Sequence, residues 1–291
     1  MIGDGKGQGA SHGAYRMSLT IAQKRARFAE LHASPGCFVI PNPFDIGSAK
    51  YLASLGFPAL ASTSAGMAFA AGKGDGAVDR AYTLSHLRDL AEATDLPLNA
   101  DFEAGFARDA EGVHESVRLC IGAGVSGFSI EDYTGDPAAP LYSLSEAVER
   151  LRAARAAIDA SGETVLLTAR SEAILRQAGG LSEALRRLPL YAEAGADVLY
   201  VPLVKTPAEV SEVVRVAGKL PVNVLAGWPG FTKRGLEDLG VKRISVGGAL
   251  ARAAWGGFIR AAKDIADNGR FDAFADLPTM NDITGAFADK G

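Results

Sequence analysis

The sequence predicts one (β/α)8 barrel of the TIM type, with an N-terminal helix before it and a C-terminal helical extension after it. Short apolar segments alternate with longer helical patterns along the chain, and eight such segments are present. Parallel strands joined by helices need crossover connections, and eight of them close naturally into a barrel. A doubly wound open sheet is the alternative, but no G-x-G-x-x-G motif follows the first predicted strand.

The N-terminal residues 1–16 are polar and rich in glycine, and we predict a flexible tail there. An amphipathic pattern follows, in which Leu19, Ala22, Ala26, Phe28 and Leu31 recur at helical spacing. This pattern predicts the first helix. No linker or change of composition interrupts residues 17–268, so we predict a single barrel domain there and a C-terminal extension over 269–291.

Each predicted strand is a β-branched or apolar run that ends in polar residues. The eight runs are 37–42, 59–64, 97–103, 127–133, 165–171, 198–203, 222–227 and 243–248. Glycine-containing segments at 55–58, 122–125 and 194–197 precede three of these runs. Glycine just past a helix, with a strand soon after, is typical of a short loop from helix to strand.

Composition limits the function classes. Hydrophobic residues make up 48% of the 291 residues, and 30 basic side chains face 34 acidic ones, for a net charge of −4. This balance is typical of a soluble globular protein and gives no basic surface for nucleic acid or anionic membrane, so a small-molecule ligand is favoured. Cys37 and Cys120 lie in apolar runs without metal-binding spacing, which indicates buried thiols in a reducing compartment. With no signal peptide and no spanning apolar run, we expect a cytoplasmic protein.

Carboxylates cluster at the ends of two neighbouring predicted strands. The third strand ends with Asn99, Asp101 and Glu103 on one face, and the fourth ends with Glu131. Active sites of such barrels form at the C-terminal ends of the strands, where this cluster would repel itself without a shared proton or cation. Since no histidine or cysteine is nearby, the carboxylates indicate Mg²⁺ or Mn²⁺ rather than zinc. The structural alternative is that these carboxylates cap the helices that follow or pair with arginines.

Other strand ends carry groups suited to an anionic substrate. Arg170 ends the fifth strand and can fork onto a carboxylate or phosphate, although a salt bridge to Glu172 or Glu131 explains it equally well. The second strand runs into a hydroxyl-rich turn, 62–64, whose amides could hold an anion. A polar connection, 132–145, follows Glu131 and is interpreted as a lid above the metal.

Taken together, these motifs resemble a known superfamily. They are N-P-x-D-x-x-S-A at 42–49, S-T-S-A-G at 62–66, G-x-G-D-G at 72–76, A-D-F-E-A-G-F at 100–106, S-I-E-D at 129–132, T-A-R at 168–170 and P-x-N-V at 221–224. In this order the series resembles the isocitrate lyase and phosphoenolpyruvate mutase superfamily, over about residues 37–255. That resemblance implies an α/β barrel that uses Mg²⁺, binds small 2-oxo or 2-hydroxy acids and stabilises an enolate while a C–C or P–C bond breaks or forms.

The resemblance also implies roles for individual residues. The metal-supporting carboxylates are similar to Asp101, Glu103 and Glu131, with Glu103 in place of the more usual aspartate. Asp75 resembles the acidic residue of the loop after the second strand. The substrate-binding residues it implies are Ser62, Thr63, Ser64, Arg170 and Asn223. Relatives form tetramers with exchanged C-terminal helices, which implies a homo-oligomer here.

The predicted lid departs from the best-known relatives. Isocitrate and methylisocitrate lyases carry a lid cysteine in K-[KR]-C-G-H, whereas residues 132–145 contain no cysteine, lysine or histidine. Those lyases also have a glutamate at the end of the sixth strand, where this chain has Val201 and Pro202. The proton donor would then be Tyr133, Tyr142 or water.

Three functional hypotheses follow. The first is a Mg²⁺-dependent lyase or decarboxylase that acts on a small 2-oxo or 2-hydroxy (di)carboxylic acid through an enolate-like intermediate. The second is a mutase or hydrolase of P–C bonds in phosphonate metabolism, which would share the metal site but lacks the lid lysine and asparagine of those enzymes. The third is a barrel that binds a ligand without catalysis, and the retained carboxylates and Arg170 argue against it.

Overall fold

The computed structural model describes residues 18–287 and contains eight parallel strands in a nearly closed barrel. The strands are β1 Phe38–Ile40, β2 Leu60–Ala61, β3 Leu98–Asp101, β4 Gly127–Glu131, β5 Leu166–Arg170, β6 Val198–Tyr200, β7 Val222–Leu225 and β8 Arg243–Ser245. Their order around the sheet is β1-β8-β7-β6-β5-β4-β3-β2. The predicted barrel and all eight predicted strands are confirmed. All eight strands end one to three residues before the predicted boundary.

Helices connect successive strands and surround the barrel. Within the described residues they are α1 Ile21–Ala33, α2 Ile46–Ser54, α3 Ser64–Ala70, α4 Arg80–Ala93, α5 Ala110–Gly122, α6 Leu144–Ser161, α7 Gly180–Glu193, α8 Pro207–Ala217, α9 Lys233–Asp238, α10 Ala249–Asn268 and α11 Met280–Thr284. The predicted tail at 1–16 lies outside the described residues. No helix in the part of the chain that the structure describes is long and apolar enough to span a membrane.

Local side-chain chemistry sets where many helices begin. Asp79 and Asp109 accept hydrogen bonds from Tyr82 N and Gly112 N at the starts of α4 and α5. Thr206 forms a reciprocal capping box with Glu209 at the start of α8. These caps satisfy amide groups that have no partner within the helix and so fix the residue at which each helix begins.

The first helix is present where the sequence predicted it, but the residues that it buries differ from those of the apolar pattern. The structure confirms a helix there, α1, but Ala22 and Ala26 are exposed, whereas Lys24 and Arg25 are buried beside Phe28. Lys24 Nζ donates to the carbonyls of α4 and its C-cap, and Arg25 donates to two carbonyls around the end of α5. The two cations thus satisfy helix-end carbonyls, a favourable location for positive charge that hydrophobic periodicity does not reveal.

Asn42 closes the gap between β1 and β2. The two strands share no ladder, but Ala61 N donates to Pro41 O at 3.0 Å. The Asn42 amide donates to Ser62 O at 2.8 Å, and its Oδ1 accepts from the amides of Val246 at 2.9 Å and Gly247 at 2.8 Å. One side chain therefore joins the C-terminal ends of three strands at the mouth of the barrel.

A polar layer fills the barrel interior below that mouth. Arg243 of β8 is buried and donates to Asn223 Oδ1 at 2.8 Å, to Thr168 Oγ1 at 3.0 Å and to Asn99 Oδ1 at 3.3 Å. From α1, His32 contributes Nε2, which lies 3.4 Å from Arg243 Nη1. These side chains come from several strands and support the residues one step nearer the mouth, as interior layers of such barrels do.

His32 is partly buried beside a positive charge, so we expect it to make the stability of the fold depend on pH. Burial, and secondly the Arg243 charge, lowers the pKa of His32 to about 3, and its ring packs edge-on against Phe28 and Phe38. Since this folded-state pKa lies below the ordinary value near 6.5, the contribution of neutral His32 to stability is lost as the pH falls from about 6.5 towards 3.

We therefore expect His32→Gln, which keeps hydrogen-bonding groups but does not titrate, to weaken the loss of stability below about pH 6.5. The measurement is the free energy of unfolding by denaturant at a series of pH values for both proteins. A variant with the full wild-type pH slope would assign the acid sensitivity to other groups.

Candidate active site

Three charged side chains meet at the C-terminal ends of adjacent strands. Asp101 ends β3, Glu131 ends β4 and Arg170 ends β5. The strand register aligns Asp101 with Ser129, and Glu131 with Arg170. Because residues two apart in a strand share a face, the register directs these groups to the same mouth of the barrel.

Glu103 reaches this mouth from a turn rather than from the strand. The ladder of β3 stops at Asp101, and Glu103 has a left-handed backbone with φ of 48°. A non-glycine residue in this region is uncommon and costs conformational energy, which is typical of functional sites. Phe102 is buried and packs edge-on against Phe106 and Phe128, so the core holds this turn in place.

Arg170 forms the centre of the charged cluster. Its Nη1 lies 3.3 Å from both Asp101 Oδ1 and Glu131 Oε2, and its Nε donates to Glu172 Oε1 at 2.6 Å. The second Asp101 oxygen accepts from Ser64 N at 2.9 Å. The salt bridges to Glu131 and Glu172 that the sequence suggested are thus present, and a third joins Arg170 to Asp101.

Crowded carboxylates shift the protonation equilibria at the mouth. Burial, followed by repulsion from Asp101 and Asp75, raises the pKa of Glu103 to about 7. Burial also raises the pKa of Glu131, while the Arg170 charge opposes that rise. Negative charge is therefore costly at these positions, and a bound cation would relieve the cost.

The donor set matches the chemistry of a hard divalent cation. Asp101, Glu103 and Glu131 offer only carboxylate oxygens, the ligands that Mg²⁺ and Mn²⁺ prefer. Among the described residues no three His, Cys, Asp or Glu side chains are grouped closely enough to hold a metal ion together. Mg²⁺ usually takes one or two carboxylates and keeps several waters, so the residues fit such an ion without a three-carboxylate cluster.

A cavity of about 480 Å³ opens above these groups. Its polar lining includes Ser64, Asp75, Glu103, Glu131, Tyr133, Tyr142, Arg108, Arg170 and Arg176. The volume falls in the range of small-molecule sites, and the cavity brings convergent polar groups to the C-terminal face of the barrel. The position and the lining both indicate a site for a small anionic ligand that is bound together with a cation.

Comparison with known proteins identifies the family of this barrel. A family profile described as phosphoenolpyruvate phosphomutase matches residues 28–266, which is most of the chain. The chain belongs to this family. The resemblance to the isocitrate lyase and phosphoenolpyruvate mutase superfamily is thereby confirmed.

Individual relatives show the breadth of the phosphoenolpyruvate phosphomutase family. A candidate lyase/mutase from Burkholderia cenocepacia J2315 has a solved structure that is 44% identical, with a TM-score of 0.89 over 93% of this chain and 98% of that chain. The oxaloacetate decarboxylase of Bradyrhizobium diazoefficiens is 30% identical over 72% of this chain and 73% of its own length. A phosphonopyruvate hydrolase solved with oxalate and Mg²⁺ is 26% identical, with a TM-score of 0.80 over 90% and 94% of the two chains.

Some of the site residues that the resemblance implied line the cavity, and others form hydrogen bonds that support the residues around it. Ser64, Asp75 and Tyr133 line the cavity together with Glu103, Glu131 and Arg170, whereas Asp101 lines a smaller interior cavity below it. Ser62 instead accepts a hydrogen bond from Asp101 N at 2.9 Å, and Thr63 caps α3 by accepting from Gly66 N. Both hydroxyls thus support the mouth in this conformation, and the substrate contacts predicted for them remain predictions.

Asn223 lies deeper than the other predicted site residues. Its Oδ1 accepts from Arg243, and its amide donates to Ser245 Oγ at 3.0 Å. It lines a small interior cavity of about 50 Å³ together with Arg170 and Tyr200, rather than the large cavity. In this structure Asn223 therefore belongs to the polar layer below the mouth, and direct contact with substrate remains a prediction.

The predicted lid folds as a small hairpin over the cavity edge. Tyr133 pairs with Leu141 in an antiparallel bridge, and Thr134 N donates to Pro140 O at 2.9 Å. The ring of Tyr133 lies under Arg176, and that of Tyr142 lies under Arg150, with the guanidinium carbons 3.6 Å and 4.1 Å from the ring centroids. The hairpin thus presents two tyrosines to the cavity, each held against an arginine.

Sequence reasoning missed two arginines and the role of one glutamate. Arg150 of α6 donates to the carbonyls of Ala104, Ala107 and Arg108 and so fixes the turn that follows β3. Glu172 is fully buried and accepts from Arg170 and also from Arg176 at 3.0 Å. Arg150 could have been noticed as a charged residue on the otherwise apolar face of α6. No sequence pattern around Arg176 indicates that it reaches the cavity.

Proposed function

We propose that this protein is a Mg²⁺-dependent lyase or decarboxylase that acts on a small 2-oxo or 2-hydroxy (di)carboxylic acid through an enolate-like intermediate. The observation that carries the proposal is the convergence of Asp101, Glu103, Glu131 and Arg170 at one mouth of the barrel, beside a cavity for a small ligand. The lid without lysine supports this proposal over P–C chemistry. Sequence identity favours neither chemistry, because the oxaloacetate decarboxylase is 30% identical and a phosphonopyruvate hydrolase from Variovorax is 32% identical over similar shares of the chain.

Each charged group has a role in this proposal. Of Asp101, Glu103 and Glu131, one or two would bind Mg²⁺ directly and the remainder would offset its charge; the ion when bound would supply a Lewis acid that stabilises negative charge on the substrate oxygens. Asp75 adds negative charge beside Glu103 and thereby favours a cation there. Arg170 would turn from its carboxylate partners to hold the substrate carboxylate, because a guanidinium binds a carboxylate through two parallel hydrogen bonds.

A substrate panel tests the proposal. The purified protein is assayed with 2-oxo acids, 2-hydroxy acids and phosphonates, with Mg²⁺ or with EDTA, and products are identified by proton and phosphorus NMR. We expect cleavage or decarboxylation of an organic acid that EDTA abolishes. Conversion of a phosphonate alone would favour a mutase or hydrolase of P–C bonds, and turnover unaffected by EDTA would contradict the metal assignment.

The hydroxyl of Tyr133 is our candidate proton donor, since Tyr133 lines the cavity and lies two residues after Glu131 in the chain. Loss of a general acid typically lowers the rate about 10²–10⁴-fold, whereas loss of a positioning hydroxyl costs far less. We expect Tyr133→Phe to lower kcat more than Tyr142→Phe, which should cost less than about tenfold. Both variants keep the aromatic ring and therefore its contact with the arginine above it. Near-wild-type kcat in both would leave water as the proton source.

We also propose that the chain assembles into a homo-oligomer, as the resemblance to tetrameric relatives implies. Large apolar side chains are exposed on α10 and on the segment after it, among them Trp255, Phe258, Phe271, Leu277 and Met280. A continuous set of exposed apolar residues is typical of an interaction surface. The mass in solution tests this, and a monomer at micromolar concentration would contradict it.

A further inference from the structure

Arg176 follows β5 and lines the same cavity as Arg170, Glu103 and Glu131. Its Nε donates to Glu172 Oε2 at 3.0 Å, and its guanidinium carbon lies 3.6 Å from the centroid of the Tyr133 ring. An arginine has five N–H donors, so four remain on the two Nη atoms. Within residues 18–287 these donors make no hydrogen bond to another protein group.

The charge of Arg176 is only partly offset by its surroundings. Glu172 is its one salt-bridge partner among the described residues, and the same carboxylate also binds Arg170. Arg170 is balanced further by Asp101 and Glu131, which Arg176 does not contact. Arg176 therefore retains positive charge and free donors beside a cavity, a combination that favours an anion.

The guanidinium of Arg176 is also held in a defined orientation. Glu172 is fully buried and fixes the Nε side of the group, while Tyr133 covers one face of its plane. Less side-chain entropy is lost when a ligand binds a group that is already ordered. This arrangement is typical of a binding residue, whereas an arginine that only solvates the surface needs neither a buried partner nor an aromatic platform.

We propose that Arg176 binds the second carboxylate of a dicarboxylic substrate, at the opposite end of the substrate from the carboxylate that Arg170 would hold. The inference rests on the proposed function, because Asp101, Glu131 and Arg170 are taken to hold the 2-oxo or 2-hydroxy acid end. Glu172 couples the two ends, since its two oxygens bind one arginine each. Arg176 is thus a specificity-determining residue that selects dicarboxylates over monocarboxylates of the same length.

Calorimetric titration of the full-length protein with Mg²⁺ separates the two ends of the site. The Kd of oxalate measures binding at the metal-binding end of the site alone. Racemic malate and racemic 2-hydroxybutyrate share the 2-hydroxy acid end, but the second has a methyl group where malate has its other carboxylate. We expect the wild-type protein to bind malate more tightly than 2-hydroxybutyrate. Arg176→Gln should reduce this preference about 10- to 100-fold, as expected for loss of hydrogen bonds to a charged group, with the Kd of oxalate changed less than about threefold.

Two further variants define the outcome. Arg176→Lys keeps the charge and should retain part of the malate preference, whereas Arg118→Gln, which removes an exposed arginine paired with Glu115, should leave all three Kd values unchanged. The inference is overturned if Arg176→Gln leaves the malate preference unaltered, or if it weakens the binding of oxalate and of malate equally. It is also overturned if the malate preference is lost in Arg108→Gln instead of in Arg176→Gln. Absence of oxalate binding to the wild-type protein contradicts the proposed function itself.

Discussion

Asp101→Asn is expected to abolish Mg²⁺-dependent turnover while the fold is preserved. Asparagine has the same shape and can still accept the hydrogen bond from Ser64 N, which binds Asp101 Oδ2 at 2.9 Å. The substitution removes the negative charge that faces Arg170 at 3.3 Å and that would bind the cation. Preorganised electrostatic groups of this kind are worth roughly 10²–10³-fold in rate when one is removed, and a direct metal contact should be at the upper end or beyond.

The measurements for Asp101→Asn are kcat/KM on the substrate found in the panel, as a function of Mg²⁺ concentration, and the thermal midpoint. Asp109→Asn is the matched control. It removes a charge from the segment after β3, and asparagine caps α5 as well as aspartate does. For both variants we expect the thermal midpoint to change by less than about 4 °C, which corresponds to roughly 1 kcal/mol of stability in a chain of this size. Full turnover in Asp101→Asn would refute the metal assignment.

Arg170→Gln is expected to impair both activity and stability. The guanidinium lies against Asp101, Glu131 and Glu172, of which Glu131 and Glu172 are buried. Removing one partner of a buried ion pair costs about 3–5 kcal/mol, because the remaining charges lose their compensation. The thermal midpoint should therefore fall by about 10 °C or more, and kcat/KM should fall at least as far as in Asp101→Asn.

The pH dependence of the Arg170→Gln variant provides a second test. Burial already raises the pKa of Glu131 in the wild-type protein, and Arg170 opposes the rise. Without the guanidinium, folding favours protonated carboxylates more strongly, so the stability of the variant should increase as the pH is lowered from about 8 to 5. Arg118→Gln, with its exposed ion pair, should show neither effect. A midpoint for Arg170→Gln within about 2 °C of wild type would contradict the central role of this residue.

Much of the candidate site could be predicted because parallel strands impose a simple geometry. Each inward side chain at the C-terminal end of a strand approaches the same axis, so Asp101, Glu131 and Arg170 had to meet once eight strands were recognised. Glu131 and Glu172 could be named as candidate partners of Arg170, but its simultaneous pairing with both and with Asp101 could not be predicted. The pairing of Arg170 depends on register and on side-chain distances of 2.6 to 3.3 Å, set by packing across three strands.

The sequence by itself determined the barrel, the strand ends that carry carboxylates and the family to which the chain belongs. Periodicity and turn chemistry are local properties, so they can be read without knowledge of distant contacts. Only the tertiary structure decided that Lys24 and Arg25 are buried, that Asn223 lies below the mouth and that Glu172 joins Arg170 to Arg176. The partners of Lys24, Arg25 and Asn223 are distant in sequence, whereas the contacts of Glu172 are close in sequence and depend on how the turn after β5 folds. The free energy of a buried charge depends on whether such a partner is present, which no local pattern records.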